Sequence, residues 1–189
     1  MGLSYFIDKE NWSNITREER FFCSYLYHTL ISNRPCLEKF LNLLGKAGEG
    51  TWEVGYEVCF YRDILFSRGV KIKEYNKSNP HKKLPQKRTF DLCLFSENEI
   101  IIIEAKCNEN FNKRQYDALL DDTKHIKEIV NDKIKLNYAL IIRSEYEEII
   151  KKNLQHLLIN STRITWKQIA DNFTIYSEIF NRADNLRAI

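Results

Sequence analysis

Residues 89–106 read TFDLCLFSENEIIIIEAK, and this stretch determines the predicted architecture. Two apolar runs flank a short polar segment at 96–99, which is the pattern of two β-strands joined in a hairpin. Strands that are apolar almost throughout are typical of a sheet whose two faces are both covered. If the turn consists of Glu97 and Asn98 alone, Ser96 pairs with Glu99, and the numbers of paired residues add up to 195.

Three charged residues interrupt these apolar strands: Asp91, Glu104 and Lys106. An unpaired buried charge costs several kcal/mol, so three such residues on one hairpin indicate a function. The assumed register places Asp91 directly opposite Glu104, with their Cβ atoms about 4.5–5.5 Å apart. Lys106 lies two residues beyond Glu104, and the alternation of side chains along a strand predicts that it points to the same face. A three-residue turn would remove the direct opposition.

This grouping of two carboxylates and an ammonium predicts a site for a hard divalent cation. Mg²⁺ is typically held by one or two carboxylates together with water and substrate phosphate oxygens. The lysine would then orient or deprotonate a water, or stabilise negative charge on phosphorus. The alternative is a buried salt bridge between Lys106 and Asp91 or Glu104.

The periodicity of the flanking segments gives the order of the other elements. Thr16 and Glu19 have the spacing of a capping box, which predicts a helix from there to about residue 32. Pro35 opens a second helix and Gly45 ends it. The remaining predicted elements are a strand at 52–60, a helix at 112–130, a strand at 136–142 and helices at 145–158, 165–172 and 174–182.

This order, α-α-β-β-β-α-β followed by helices, predicts the α/β class, with a mixed sheet and helices on both of its faces. We expect a single domain over residues 1–189, with a core at 16–143 and a helical extension at 144–189. The extension is expected to cap the edge of the sheet or to form a homodimer contact.

Residues 68–88 form a basic segment between the first strand and the hairpin. They contain eight lysines and arginines against one acid, Glu74, so the local charge is about +7 and the rest of the chain is net acidic. We interpret the segment as a long loop, with room for a short strand at 70–75, whose cations neutralise nucleic-acid phosphates. The alternative is a solvated loop without a partner. The cations assigned to nucleic acid are Arg68, Lys82, Lys83, Lys87 and Arg88.

The composition excludes several other classes of protein. With 43% hydrophobic residues, the 189-residue chain can bury a core without disulfides, and its five scattered cysteines are expected to be reduced thiols. No apolar run approaches the ~18–20 residues that cross a bilayer, and the N-terminus lacks the pattern of a signal peptide. We therefore expect a cytoplasmic protein with no membrane partner. Isolated histidines and the lack of a glycine-rich phosphate loop argue against a histidine metal site and against ATP or NAD chemistry.

Asp91, twelve intervening residues and the tripeptide Glu104-Ala105-Lys106 resemble the PD-(D/E)xK signature of the restriction-endonuclease-like nucleases. These proteins share an αβββαβ core with the signature on a central hairpin, and the order predicted over residues 16–143 matches it. The residue before Asp91 is phenylalanine, where the family string often has proline. The resemblance implies an endonuclease that depends on Mg²⁺ (or Mn²⁺) and acts on DNA. Asp91 and Glu104 would bind the metal ion, the carbonyl of Ala105 would complete its shell, and the lysine would act in water activation.

The same resemblance suggests further site residues. Some families of this superfamily carry a glutamine in the helix after the hairpin that contacts the metal site or phosphate, and Gln115 stands there. Alternatively, Gln115 forms a capping box with Asn112. Many relatives also use a glutamate from the first helix as a metal ligand, and Glu18 and Glu19 compete for that role. Glu57, in the first strand, is a third option.

Two other functions fit the same pattern. The chain could be a nucleic-acid-binding module on this fold without catalysis, which the intact Asp-Glu-Lys set argues against. It could also be an interaction protein in which the three charges form a buried ion cluster. Cleavage with and without Mg²⁺ separates the first of these from a nuclease, and a metal titration separates the second.

Overall fold

The computed structural model describes residues 12–46, 50–108, 112–130, 133–146 and 161–186. Within them, a five-stranded mixed sheet lies between two layers of helices, which confirms the predicted α/β class. The strands lie side by side in chain order as β1 (Glu53–Val58), β2 (Phe90–Phe95), β3 (Glu99–Ala105), β4 (Lys135–Ile142) and β5 (Ser161–Thr165). β1, β2 and β3 pair antiparallel, whereas β3, β4 and β5 pair parallel.

Helices cover both faces of this sheet. In chain order they are α1 (Trp12–Ile15), α2 (Glu19–Ser32), α3 (Arg34–Leu43), α4 (Phe60–Ser67), α5 (Ile72–Ser78), α6 (Lys113–Ile129), α7 (Trp166–Asn172) and α8 (Ser177–Asp184). One apolar core joins the sheet to α2, α3, α7 and α8, and a second joins it to α4 and α6. Among the described helices, none is long and apolar enough to cross a membrane.

The central hairpin has the predicted register. Leu92 pairs with Ile103 and Phe95 with Ile100, and both pairs of numbers add up to 195. The N–H of Ser96 donates to the carbonyl of Glu99 at 2.8 Å, which closes the two-residue turn. Because successive side chains alternate, each strand contributes to both apolar cores, and the prediction of a sheet covered on both faces is confirmed.

β1 is shorter than the sequence pattern predicts. It ends at Val58, directly after Glu57 adopts a left-handed conformation with φ 51°. Phe60, which the alternating pattern places at the end of the strand, instead begins α4. Phe60, Tyr61 and Leu65 are all buried, so the apolar spacing here is that of a helix packed on the sheet.

The basic segment 68–88 is partly helical, so the predicted long loop is wrong in part. α5 occupies the place of the short strand expected at 70–75. Asn76 fixes its position, because its side-chain amide bonds the N–H and the carbonyl of Leu84 at 2.8 and 2.9 Å. The lysines of the segment remain exposed, namely Lys71, Lys73, Lys77, Lys82, Lys83 and Lys87.

The predicted helical extension, 144–189, contains a strand. Residues 161–165 form β5, which pairs parallel with β4 at the edge of the sheet. The last two predicted helices correspond to α7 and α8, whereas the one predicted at 145–158 lies largely outside the described residues. Trp166 is fully buried, and its indole N–H donates to the carbonyl of Lys106 at 3.2 Å. The extension therefore packs directly against the end of the hairpin.

Candidate active site

Asp91 and Glu104 lie at the open end of the hairpin. They directly follow its last ladder pair, Leu92 with Ile103, and continuing that register places them opposite each other. The N–H of Ala105 donates to Oδ2 of Asp91 at 2.8 Å, which orients that carboxylate. Burial, and next the negative charge of Asp91, raises the pKa of Glu104 to about 7. Two close carboxylates of this kind form a centre of negative charge that a cation would stabilise.

Lys106 lies just beyond the end of β3. Its N–H donates to the carbonyl of Ile141 at 2.7 Å, and its carbonyl accepts from Trp166. The alternation of side chains applies only within a strand, so it does not determine the direction of the Lys106 side chain. Its ammonium instead donates to both carboxylate oxygens of Glu19 on α2, at 3.0 and 3.2 Å.

Glu19 joins α2 to the end of the hairpin. Its carboxylate accepts from Lys106 and also from the N–H of Cys107 at 3.1 Å. The predicted capping box is therefore wrong, because the carboxylate that would complete it is engaged elsewhere. Thr16 instead accepts from the N–H of Glu18 at 3.4 Å, and α2 begins at Glu19 without a side-chain cap.

The charges around Lys106 keep it protonated. Burial works to lower the pKa of Lys106, but the ion pair with Glu19 and the charges of Asp91 and Glu104 raise it above its ordinary value. Burial also raises the pKa of Glu19, although Lys106 opposes that effect. A lysine held in its charged form is suited to stabilising negative charge and is a poor base for deprotonating water.

Arg88 belongs to a partly buried network rather than to an exposed loop. Its Nη2 donates to Oε1 of Glu104 and its Nε to Oδ2 of Asp122, both at 2.8 Å. The hydroxyl of Tyr61 donates to the other oxygen of Asp122 at 2.5 Å. The Arg88 side chain is 24% exposed and that of Asp122 only 2%. Nε and Nη2 of Arg88 are thus engaged by carboxylates, and its role as a nucleic-acid contact stays a prediction.

Reasoning from sequence misses Asp122 and Tyr61 as members of this site. Asp122 lies on the buried stripe of α6, together with Leu119, Ile126 and Ile129. A carboxylate in an apolar stripe needs a partner, since its burial alone is unfavourable. That position in the stripe is the signal by which the sequence indicates a buried ion pair, although it does not identify the partner.

A pocket of ≈ 290 Å³ opens beside Glu104. Gln115 forms the predicted capping box with Asn112 and also lies in the wall of this pocket, whereas its contact with a metal site or phosphate stays a prediction. The lining residues are Arg88, Glu104, Asn112, Arg114, Gln115 and Ala118, and they do not include Asp91 or Lys106. Glu104 thus faces the pocket, while Lys106 lies towards α2.

The two other candidate carboxylates lie on the outside of this arrangement. Glu18 is exposed at the residue before α2. Glu57 forms an ion pair with Arg20 at 3.2 Å, and the Arg20 side chain is 72% exposed. Of the three glutamates considered with the hairpin, Glu19 is the one that bonds a residue of the Glu104-Ala105-Lys106 tripeptide.

The basic segment contacts the far end of α6. Lys82 pairs with Glu128 at 3.2 Å, and Nη2 of Arg68 donates to the carbonyl of Ile129 at 2.8 Å. Gln115, beside the pocket, lies in the first turn of the same helix. With a rise of about 1.5 Å per residue, the two ends are about 20 Å apart. Lys82 and Arg68 therefore lie at a distance from the candidate site, whereas Arg88, the last residue of the segment, lines it.

The donor set fits a Mg²⁺-type ion better than a soft metal. Among the described residues, no group of three or more His, Cys, Asp or Glu side chains is arranged to hold a metal ion. Mg²⁺ is commonly held by only one or two carboxylates, with water and substrate completing its shell. Asp91 and Glu104, with the Ala105 carbonyl, are oxygen donors of that kind.

No family model matches the chain, and no curated protein or solved structure is detectably similar to it. The resemblance to the PD-(D/E)xK nucleases therefore stays a prediction. It rests on the residues of the hairpin and on the order of the elements around it.

Proposed function

We propose that this protein is a metal-dependent nuclease that hydrolyses phosphodiester bonds of DNA by a PD-(D/E)xK mechanism. The observation that carries the proposal is the opposition of Asp91 and Glu104 at the end of the hairpin. Burial, and next the negative charge of Asp91, raises the pKa of Glu104 to about 7. Two close carboxylates that are partly buried are stabilised by a bound cation, so this pair is a candidate cation site.

The topology supports the same proposal. Part of the chain forms an αβββαβ unit, which consists of α2, β1, β2, β3, α6 and β4 in chain order. Three further helices are inserted into it: α3 before β1, and α4 and α5 between β1 and β2. This unit has an antiparallel hairpin and a fourth strand parallel to β3. The signature residues lie at the end of β3, where parallel strands β3, β4 and β5 present their carboxyl ends. Sites in open α/β sheets commonly lie at that edge.

Asp91, Glu104 and the carbonyl of Ala105 would hold the metal ion. A bound divalent cation would polarise a phosphate group and make a neighbouring water more acidic. Asp91 is oriented for this role by the N–H of Ala105, and Glu104 by Arg88. Both carboxylates are therefore held in place by hydrogen bonds before any substrate arrives.

Lys106 would stabilise the negative charge that develops on phosphorus during attack. Its raised pKa keeps the ammonium charged, and Glu19 fixes its position from α2. We therefore assign Lys106 to electrostatic stabilisation rather than to proton abstraction from water. Gln115 and Arg114 line the pocket beside Glu104, where they would contact the phosphate backbone.

One observation favours a second candidate, a buried ion cluster without catalysis. Arg88 pairs with Glu104, and Lys106 pairs with Glu19, so both of these cations already have an anionic partner. In that case the protein would bind nucleic acid or another partner without cleaving it. Divalent cations would then bind no more tightly at Asp91 than at an exposed acid.

Cleavage of supercoiled plasmid, linear duplex and single-stranded DNA, and of RNA, tests the proposal. We expect cleavage of DNA with Mg²⁺ or Mn²⁺ and none with EDTA. Glu104→Gln should abolish it, whereas Glu97→Gln, an exposed acid in the turn at the other end of the hairpin, should not. Cleavage of RNA alone would change the substrate class. No metal-dependent cleavage of any of the four substrates would favour the ion cluster.

A further inference from the structure

Arg88 is anchored by three different side chains. Its Nε donates to Asp122 and its Nη2 to Glu104, each at 2.8 Å. Its guanidinium carbon lies 4.6 Å from the centre of the Phe90 ring. Asp122 is itself fixed by the hydroxyl of Tyr61 at 2.5 Å. Asp122 and Phe90 hold the guanidinium independently of Glu104, so it should stay beside Glu104 when another cation approaches.

We infer that Arg88 determines the metal selectivity of the proposed site, because it occupies one oxygen of Glu104 and so favours Mg²⁺ and Mn²⁺ over Ca²⁺. The inference rests on the proposed function, since it requires a divalent cation at Asp91 and Glu104. It assigns a role to Arg88 that neither its position in the basic segment nor the hairpin motif suggests.

The number of carboxylate oxygens open to a metal ion is the basis of this selectivity. Arg88 engages Oε1 of Glu104, and the N–H of Ala105 engages Oδ2 of Asp91. A cation that used both oxygens of either carboxylate would compete with one of these hydrogen bonds. Ca²⁺ takes 6–8 oxygen ligands and often binds carboxylates through both oxygens, whereas Mg²⁺ keeps an octahedral shell with several waters. Two single oxygens suit the smaller ion.

The backbone N–H of Ala105 cannot be removed by a side-chain substitution, but the guanidinium of Arg88 can. In Arg88→Met most of the hydrocarbon part of the side chain is kept, and both oxygens of Glu104 become available to a cation. Loss of the positive charge should strengthen the binding of all divalent cations. The ratio of the Kd for Mg²⁺ to the Kd for Ca²⁺ separates this general effect from selectivity, because both ions carry the same charge.

Isothermal titration of the whole chain with Mg²⁺, Mn²⁺ and Ca²⁺ measures this ratio without any cleavage assay. We expect Arg88→Met to shift it at least about fivefold in favour of Ca²⁺. Arg62→Met is the matched control, because Arg62 is an exposed arginine of α4 that pairs with Asp63. That variant should leave the ratio unchanged. Asp91→Asn should remove the binding event itself and so locate it.

Arg88→Met also leaves the buried charge of Asp122 without its partner, and an unpaired buried charge is strongly destabilising by itself. The double variant Arg88→Met with Asp122→Asn removes the stranded charge and is the second form to be titrated. An unchanged ratio in a folded variant would overturn the selectivity role and leave the nuclease proposal in place. Absence of Asp91-dependent binding in the wild type would overturn both.

Discussion

The ammonium of Lys106 lies 3.0 Å from a carboxylate oxygen of Glu19, and this ion pair links the end of β3 to the first turn of α2. The two residues are separated by 87 positions in the chain. Only 9% of the lysine side chain and 26% of the glutamate side chain are exposed. Through this pair, α2 fixes the position of the one cation in the Glu104-Ala105-Lys106 tripeptide.

Glu19→Gln should therefore destabilise the protein and reduce cleavage together. Removing one partner of a buried ion pair costs about 3–5 kcal/mol, and the lower value applies here because Glu19 is partly exposed. A loss of about 3 kcal/mol corresponds to about 6–12 °C in melting temperature for a chain of this length. Glu18→Gln, in the adjacent exposed residue, is the control and should change neither property. Equal effects of Glu19→Gln and Glu18→Gln would show that the ion pair contributes neither to stability nor to cleavage.

The raised pKa of Glu104 predicts how stability depends on pH. A carboxyl whose folded-state pKa lies above its ordinary value near 4.5 stabilises the fold only while it is protonated. The free energy of unfolding should therefore fall as the pH rises from about 4.5 to about 7, by on the order of 3 kcal/mol. Urea unfolding of wild type and Glu104→Gln at pH 5 and pH 8, both without metal, measures this effect.

The loss between pH 5 and pH 8 should be smaller in Glu104→Gln than in the wild type, because the variant lacks the titrating group. Mg²⁺ should restore much of the wild-type loss at pH 8, since it would bind the ionised form. Identical pH profiles for the two proteins would contradict the assignment of a raised pKa to Glu104.

The lysines of the basic segment are predicted to bind the phosphate backbone. Reversing the charges of Lys82, Lys83 and Lys87 should weaken DNA binding and reduce the slope of its salt dependence by about one for each phosphate that is no longer neutralised. All three are exposed, so the melting temperature should change little. A salt dependence equal to that of the wild type would exclude the segment as the binding surface.

The position of that segment also predicts a minimum length of substrate. Lys82 and the pocket beside Glu104 lie at opposite ends of α6, about 20 Å apart. At about 3.4 Å per base pair, a duplex that contacts both must extend about 6 base pairs to one side of the cleaved bond. A series of end-labelled duplexes of decreasing length should lose cleavage near that limit, and the charge-reversed protein should not show the same threshold.

The hairpin could be predicted from sequence because its determinants are local. A short polar turn between two apolar strands fixes the register, and the register fixes the opposition of Asp91 and Glu104. The direction of Lys106 could not be predicted in this way. It depends on where β3 ends, which is decided by hydrogen bonds to Ile141 and Trp166, residues that are distant in the chain.

The partners of Arg88 and the strand β5 could not be predicted from local sequence either. By composition Arg88 is one of eight cations in a basic segment, and only the folded chain brings it to Glu104 and Asp122. The five residues of β5 are too few to carry a clear period, and their conformation follows from pairing with β4. Local patterns thus predict the elements and the two acids, whereas the partners of the charged groups are set by tertiary contacts.

Asp91→Asn, measured for both cleavage and stability, distinguishes a metal centre from a buried ion cluster in a single variant. An asparagine can still accept the hydrogen bond from the N–H of Ala105, so the local structure should persist. If Asp91 is a metal ligand, Mg²⁺-dependent cleavage should fall by orders of magnitude, while the melting temperature without metal should hold or rise because a repulsion with Glu104 is removed. The nuclease assignment would be contradicted by two results together. These are a fall of about 6–20 °C in the melting temperature of metal-free Asp91→Asn and the absence of Mg²⁺-dependent cleavage by the wild type.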